Sequence, residues 1–253
     1  MVMTTINQIK ARLAAEPTET ELASWSQDSR LGVQKLLTSY HKQQLKLEAQ
    51  RMAFEKRLVF ERAAWRQGTV LAGIDEVGRG PLAGPVVAAA VVIDEHFDLI
   101  EVHDSKQLSE PKRWDLAAKI KQQAVAYAYG VVDAGTIDDI NIYEAARVAM
   151  KQALAGLAVP VDGLLVDAMV VDSPLPQEKL IKGDDRSISI GAASIIAKVF
   201  RDELMAAYAV EYPGYGFSHN AGYGTAEHLA GIAAHGITPI HRRSFAPVKA
   251  YLK

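Results

Sequence analysis

Residues 69–94, TVLAGIDEVGRGPLAGPVVAAAVVID, limit what this chain can fold into more than any other stretch. The run VVAAAVVI at 86–93 is apolar without alternation. A strand of that kind is buried on both faces, so its sheet must be covered on both sides. The run is also far too short to cross a bilayer. TVLAGID and PVVAAAVVID read as two such strands joined by a turn with glycines at 78, 80 and 84 and prolines at 81 and 85. Glycines this dense weaken local structure unless the backbone turns sharply or approaches a ligand closely. Asp75 and Glu76 close the first strand, where burying a carboxylate is costly unless positive charge is near. Together these features point to an ion site beside a main-chain docking surface. The plainer alternative is a strand followed by a solvated acidic turn.

The rest of the body interleaves strands and helices. AVAYAYGVVDA at 124–134 reads as a third strand, DGLLVDA at 162–168 as a fourth that also ends on aspartate, and EKLIKGDD at 178–185 as a short fifth. Ser109 is placed to cap a helix starting at Glu110, with Pro111 in its first turn. Asn141–Leu157 is alanine-rich and helical, and residues 188–212 form a long apolar-striped helix. The loop PGYGFSHNAGYG at 213–224 leads into a helical C-terminal region. This alternation indicates an α/β fold with a mixed sheet.

The first 68 residues form a separate helical extension, so the expected organisation is an extension at 1–68 and a body at 69–253. Thr18 and Glu21 have capping-box spacing, and DSRLG at 28–32 reads as a break. No glycine or proline occurs from Val33 to Arg66, which predicts one continuous helix carrying eight Lys/Arg against three Glu. Overall, residues 1–68 hold 11 basic and 7 acidic side chains, and the remainder 17 and 23. A basic arm on an acidic body suits an enzyme that gathers metals with carboxylates and meets phosphates with its arm. A solvated helical face explains the same charges.

Cysteine is absent, which excludes disulfides, thiol nucleophiles and cysteine zinc sites. The start, MVMTTINQIK, lacks the apolar stretch of a secretion signal, so a soluble cytoplasmic protein is expected. Asp75 and Glu76, Asp167 and Asp184 all stand at strand ends, where sites gather in α/β sheets. Clustered carboxylates raise each other's pKa unless a cation neutralises them. Hard oxygen donors without cysteine or HExxH-type spacing favour Mg2+ or Mn2+ over zinc. Adjacent strand residues point to opposite faces. Either the strand therefore ends or bulges at Glu76, or that residue offers its backbone carbonyl.

GIDEVGRGPLAGPVVAAAVV, DSKQLSEPKR, LLVDA, KGDDRSISIGAASIIAKVFRD, YGFSHNAGYGT and HRRSFAPV, in this order across residues 70–248, closely resemble the type 2 ribonucleases H, the ribonuclease HII family. The resemblance implies a ribonuclease H-like mixed sheet flanked by helices. It also implies a metal-dependent endonuclease that cuts the RNA strand of RNA–DNA hybrids. Such an enzyme also cuts on the 5′ side of a single ribonucleotide in duplex DNA, leaving 3′-hydroxyl and 5′-phosphate ends. By position, the metal ligands of two Mn2+ or Mg2+ ions become Asp75, Glu76, Asp167 and Asp184. Gly78, Arg79 and Gly80 become the backbone reader of the ribose 2′-hydroxyl, the group that separates RNA from DNA. Tyr223 becomes the residue packing on the neighbouring deoxyribose, and Ser105 and Lys106 become phosphate contacts. The basic N-terminal helices resemble the extension of some bacterial members, and nothing in the sequence requires a protein partner or more than a monomer.

Lys182, Lys198 and Arg201 are weaker phosphate candidates; Lys198 and Arg201 could equally pair with Asp202 or Glu203 at a surface. His219, His228, His235 and His241 show no ligand spacing and read as surface or capping residues. Ala168 stands where glycine is expected and Ala221 where lysine is common. Asp185 is a neighbouring alternative to Asp184. Competing functions are a ribonuclease HIII-like hybrid nuclease, a junction resolvase of the same fold, or a non-enzymatic nucleotide-binding module. The last lacks both GK[ST] and GxGxxG phosphate motifs.

Overall fold

The computed structural model describes residues 4–252, and the chain divides into two compact units, Met1–Ala53 and Phe54–Lys253. The first contains α1 (Ile6–Ala14), α2 (Glu19–Ser26) and most of α3 (Leu31–Arg57). Thr5 with Gln8 and Thr18 with Glu21 form reciprocal capping boxes that satisfy the first amides of α1 and α2. A small core of Ile9, Trp25, Val33 and Leu37 holds these helices together. From Thr38 to Ala53 no residue of α3 is buried, so the basic run faces water as charge runs usually do.

The second unit opens with a departure from the sequence pattern. The helix expected to run unbroken to Arg66 stops at Arg57 and turns at Leu58 (φ −81°, ψ 8°), and α4 follows over Val59–Arg66. No glycine or proline marks the turn; burial of Phe54 and Leu58 in the core sets it. Tertiary packing here overrides helix propensity.

Five strands form one sheet: β1 (Leu71–Val77), β2 (Val86–Val92), β3 (Ala126–Val132), β4 (Gly163–Asp167) and β5 (Gln177–Leu180). Their order is β3-β2-β1-β4-β5. The β1–β2 and β2–β3 pairs are antiparallel, and the β1–β4 and β4–β5 pairs are parallel. The sheet is therefore mixed. Every residue of β2 is buried. Val87, Ala89 and Val91 pack beneath α5 (Glu110–Gln123) and α7 (Ile188–Glu211), while Val86, Ala88, Ala90 and Val92 pack against α6 (Ala134–Ala155). Covering both faces explains the unbroken apolar run.

Ser109 takes the N-cap position of α5 with proline in the first turn, as the sequence indicates, but its side chain makes no capping hydrogen bond. In α6, Asn141 (φ 65°) breaks the helix and its side chain accepts the amides of Tyr143 and Glu144. Asn141 thus starts the alanine-rich segment, and a shorter segment capped by Asp133 precedes it. The C-terminal region holds α8 (Phe217–Asn220), α9 (Ala226–His235) and α10 (Ala246–Lys249). Among the described residues, no helix is long and apolar enough to cross a membrane.

Candidate active site

Strand β1 stays regular past both acidic residues: Asp75 pairs with Ala89, Glu76 with Ala88 and Val77 with Val87. The bulge or early strand end allowed by the sequence does not occur. The break comes one residue later, at Gly78 (φ 94°). By alternation, Asp75 lies on the α7 face, where Ser194 hydrogen-bonds its carboxylate. Glu76 lies on the opposite face.

Asp167 ends β4, and its carboxylate accepts the Gly183 amide at 2.6 Å, tying β4 to the short turn Gly183–Asp185 that carries Asp184. Burial, with Glu76 and Asp167 nearby, pushes the Asp75 pKa well above the usual carboxylate range. Burial pushes Glu76 up to about 7, a rise that Arg79 opposes and Asp167 reinforces. Burial, then Asp167, Asp104 and Asp185, raises Asp184, while Lys106 opposes. The structure thus brings the four carboxylates into one electrostatic cluster. Asp184 is half-buried toward it and Asp185 is exposed, which favours Asp184 of the two.

The cluster fits a divalent cation. It concentrates negative charge with little positive compensation, and Glu76 Oε2 is buried without a hydrogen-bond partner. Glu76 Oε1 meets only Arg79, at 3.4 Å. Among the described residues no three His, Asp or Glu side chains converge closely enough to hold an ion as they stand. The arrangement is an open acidic end that hard cations would complete.

The loop after β1 is held from beneath by two arginines. Arg242 donates from Nη2 to the Gly78 carbonyl (2.5 Å), from Nη1 to the Arg79 carbonyl (3.0 Å) and from Nε to the Gly84 carbonyl (3.0 Å). Arg201 donates to the carbonyls of Pro85 (2.9 Å), Ala221 (2.9 Å) and Ala83 (3.2 Å). Both are fully buried. A side chain on Gly78 would strike Arg201 Nε at 2.3 Å, so the loop closes on the guanidinium only without one. With the Gly78 and Arg79 carbonyls turned toward Arg242, the outer face of the loop is left to peptide N–H groups and the exposed Arg79 side chain. The Tyr223 ring lies against Gly80, 3.4 Å from where a Cβ would stand, and is 47% exposed.

Other expectations change. Ser105 is buried, and its hydroxyl meets that of Ser194 at 3.1 Å. It therefore reaches Asp75 through Ser194 and does not face solvent; Lys106 beside it is exposed. Lys198 pairs with Asp202 at 2.6 Å, the bland alternative, but Arg201 is no surface residue. Lys182 is exposed in a left-handed conformation (φ 54°). His228 and His241 are buried, not superficial, with their Nε2 atoms 3.0 Å apart. The Thr238 amide donates to His241 Nδ1 at 2.9 Å. His241 Nε2–H then donates to His228, whose Nδ1–H donates to the Tyr223 carbonyl at 3.0 Å. This chain of bonds fixes the Tyr223 backbone. Sequence reasoning missed Arg242, Ser194 and the histidine pair. One signal pointed to Arg201: it continues the apolar stripe Ile190, Ser194, Ala197, Met205 on the buried side of α7.

Comparison with known proteins identifies the family and the fold. The profile described as Ribonuclease HII matches residues 72–248, and that of the Ribonuclease HII N-terminal domain matches residues 5–65. A Ribonuclease HII of Leuconostoc mesenteroides is 57% identical over 250 residues, covering 98% of this chain and 99% of that protein. The crystal structure of the ribonuclease H2 from Pyrococcus horikoshii is 28% identical with a TM-score of 0.62, covering 72% of this chain and 96% of that one. A structure of Bst-RNase HIII in complex with Mn2+ shares the fold at 21% identity and a TM-score of 0.55, covering 72% of this chain and 68% of that one. The chain belongs to the ribonuclease HII family.

Proposed function

We propose that this protein is a divalent-metal-dependent endonuclease that hydrolyses the RNA strand of RNA–DNA hybrids and incises 5′ of a single ribonucleotide in duplex DNA. The products are 3′-hydroxyl and 5′-phosphate ends. The observation that carries the reading is the open acidic cluster of Asp75, Glu76, Asp167 and Asp184 directly beside a rigid, glycine-rich backbone surface. Asp75, Glu76, Asp167 and Asp184 would hold two Mg2+ or Mn2+ ions. Bound there, the ions supply a nucleophilic water and charge stabilisation for in-line displacement at phosphorus.

The chain's own groups do the rest. Gly78 and Gly80 let the backbone approach the ribose, and Arg242 fixes the Gly78 and Arg79 carbonyls so that the outward N–H groups meet the 2′-hydroxyl. Tyr223 packs beside Gly80 on the following deoxyribose, where a 2′-hydroxyl would clash. Arg79 and Lys106 contact flanking phosphates, and Ser105 steadies Asp75 through Ser194. Membership of the ribonuclease HII family disfavours the resolvase and nucleotide-module alternatives.

The test is a labelled DNA duplex carrying one ribonucleotide, incubated with Mg2+, Mn2+ or chelator beside an all-DNA control and an Asp75→Asn variant. The expected result is a single metal-dependent cut on the 5′ side of the ribonucleotide, lost in the variant. Cleavage of a long hybrid only would replace junction reading with a hybrid-only, ribonuclease HIII-like activity. Silence on both substrates would overturn the assignment.

A further inference from the structure

Helix α4 belongs by sequence to the N-terminal family segment matched over residues 5–65, yet it delivers a carboxylate into the catalytic body. Glu61 is buried, and its Oε1 accepts three hydrogen bonds: the Ser187 hydroxyl at 2.6 Å, the Ser189 hydroxyl at 2.7 Å and the Ser189 amide at 3.0 Å. Its Oε2 is buried without a hydrogen-bond partner. These donors form the first turn of α7, whose N-cap is Ser187. A carboxylate there is favoured by the helix dipole and by otherwise unsatisfied amides.

What Glu61 grips also matters. Ser187 and Arg186 both donate their amides to the Gly183 carbonyl, at 2.8 and 2.9 Å. Gly183 in turn donates its amide to Asp167. The turn Gly183–Asp185, which presents Asp184, is thus held on one side by Asp167 and on the other by the α7 turn that Glu61 clamps. The same α7 turn presses on β1 at Gly73, where a Cβ would lie 2.2 Å from the Ser189 carbonyl carbon, two residues before Asp75. Arg57, at the end of α3, adds positive charge within electrostatic reach of both Asp185 and Glu61.

We propose that Glu61 is a positioning residue of the active site: through Ser187 and Ser189 it fixes the turn that presents Asp184, so the last helix of the N-terminal segment is part of the metal-binding apparatus. This rests on the reading of Asp184 as a metal ligand. A carboxylate three steps removed from the ion still matters, because groups that orient ligands contribute roughly 10–100-fold to metal affinity.

The experiment measures Mn2+ binding to the metal-free full-length protein by titration calorimetry, and amide hydrogen exchange at Arg186 and Ser187, for the wild type, Glu61→Ala, Glu61→Gln, Asp184→Asn and the Glu61→Ala/Asp184→Asn double variant. Glu61→Ala is expected to weaken Mn2+ binding roughly tenfold and to speed exchange at those two amides selectively. Glu61→Gln, which keeps an acceptor oxygen, recovers most of both. In the double variant the loss is no larger than with Asp184→Asn alone, the mark of action through that residue. A folded Glu61→Ala with wild-type Mn2+ affinity overturns the inference, as do fully additive losses or a uniform rise in exchange across the protein. Should Glu61→Ala not fold, Ser189→Ala removes the 2.7 Å hydroxyl bond of the same clamp and carries the same readouts. If Asp184→Asn itself leaves Mn2+ binding untouched, the ligand assignment fails instead.

Discussion

The acidic end of the sheet and the glycine loop that follows it are neighbours in sequence and opposites in electrostatic completeness. At the acidic end, buried carboxylates raise one another's pKa, and Glu76 Oε2 has no partner. In the loop, every guanidinium nitrogen of Arg201 and Arg242 donates to a backbone carbonyl, and neither forms an ion pair with a carboxylate among the described residues. The first region carries charge that its protein neighbours leave largely uncompensated, and under the proposed function divalent cations would neutralise it. The second is finished before any ligand arrives, and so can serve as a rigid template against which a ribose is measured. Under the proposed function, binding a diffusible ion and discriminating one hydroxyl call for both kinds of region side by side.

The contrast is broken most strongly at Asp75. Asp75→Asn removes a ligand charge and is expected to lower cleavage about 1,000-fold, ~4 kcal/mol of transition-state stabilisation. The same change relieves repulsion, so the metal-free variant should be more stable than wild type in urea denaturation. Loss of activity together with loss of stability would mean that Asp75 is a structural residue and not part of an uncompensated cluster.

Arg242→Ala should do the reverse, acting first on stability. It strands the carbonyls of Gly78, Arg79 and Gly84 in a buried site, at roughly 1–3 kcal/mol for each that finds no replacement. A net loss of about 3–4 kcal/mol is expected in denaturant unfolding. Arg242→Lys should recover only part of it, because an ammonium lacks the planar fork that spans three acceptors. Full recovery by lysine would show that charge, not geometry, holds the loop.

Titration sharpens the comparison. Glu76 has a folded pKa of about 7 against an ordinary value of 4.5. The native state therefore holds this proton more tightly than the unfolded chain, so stability is present below about 4.5 and is lost as pH rises toward 7. The full difference is ~3 kcal/mol. Unfolding of the metal-free protein measured from pH 5 to 8 should show this decline, and Glu76→Gln should flatten it. Mg2+ or Mn2+ should restore stability most at the higher pH, where the carboxylates are already ionised. A metal-free stability that is flat across this range in the wild type would place Glu76 outside the cluster.

These two regions were not equally legible in the sequence. The carboxylates were more so, because they lie near strands that can be read locally: Asp75 and Glu76 near the end of β1, Asp167 at the end of β4 and Asp184 in the turn after β5. The strands themselves, the capping box at Thr18, the start of α5 after Ser109 and the mixed sheet follow from the same short-range patterns. The arginine cradle was not, since its acceptors are main-chain carbonyls, all but that of Ala221 more than a hundred residues away, and backbone acceptors leave no residue-type signature. Ser105 looked like a phosphate contact because its partner, Ser194, lies 89 positions on. His228 and His241 looked superficial because their pairing depends on tertiary packing. The turn at Leu58 was invisible for the same reason: it is set by what Phe54 and Leu58 bury, not by a breaking residue.

The smallest expected effect lies where the acidic end departs from its own family pattern. Ala168, directly after Asp167, adopts φ 48°, and its amide donates to the Leu180 carbonyl at 2.9 Å. An alanine in this left-handed region costs roughly 1–2 kcal/mol, and a glycine there would be relieved of that cost while losing about 0.5–1 kcal/mol to the entropy of its unfolded chain. Ala168→Gly should therefore raise stability by about 0.5–1 kcal/mol in denaturant unfolding. Ala221, also at φ 48°, offers the matching change in the other region, beside the carbonyl that Arg201 holds. Because Ala168 directly follows Asp167, whereas the Ala221 carbonyl is held by Arg201, Ala168→Gly should loosen metal binding slightly while Ala221→Gly leaves it alone. Equal effects of the two glycines on Mn2+ affinity would show that the strain at Ala168 is only a backbone cost, with no share in aiming Asp167.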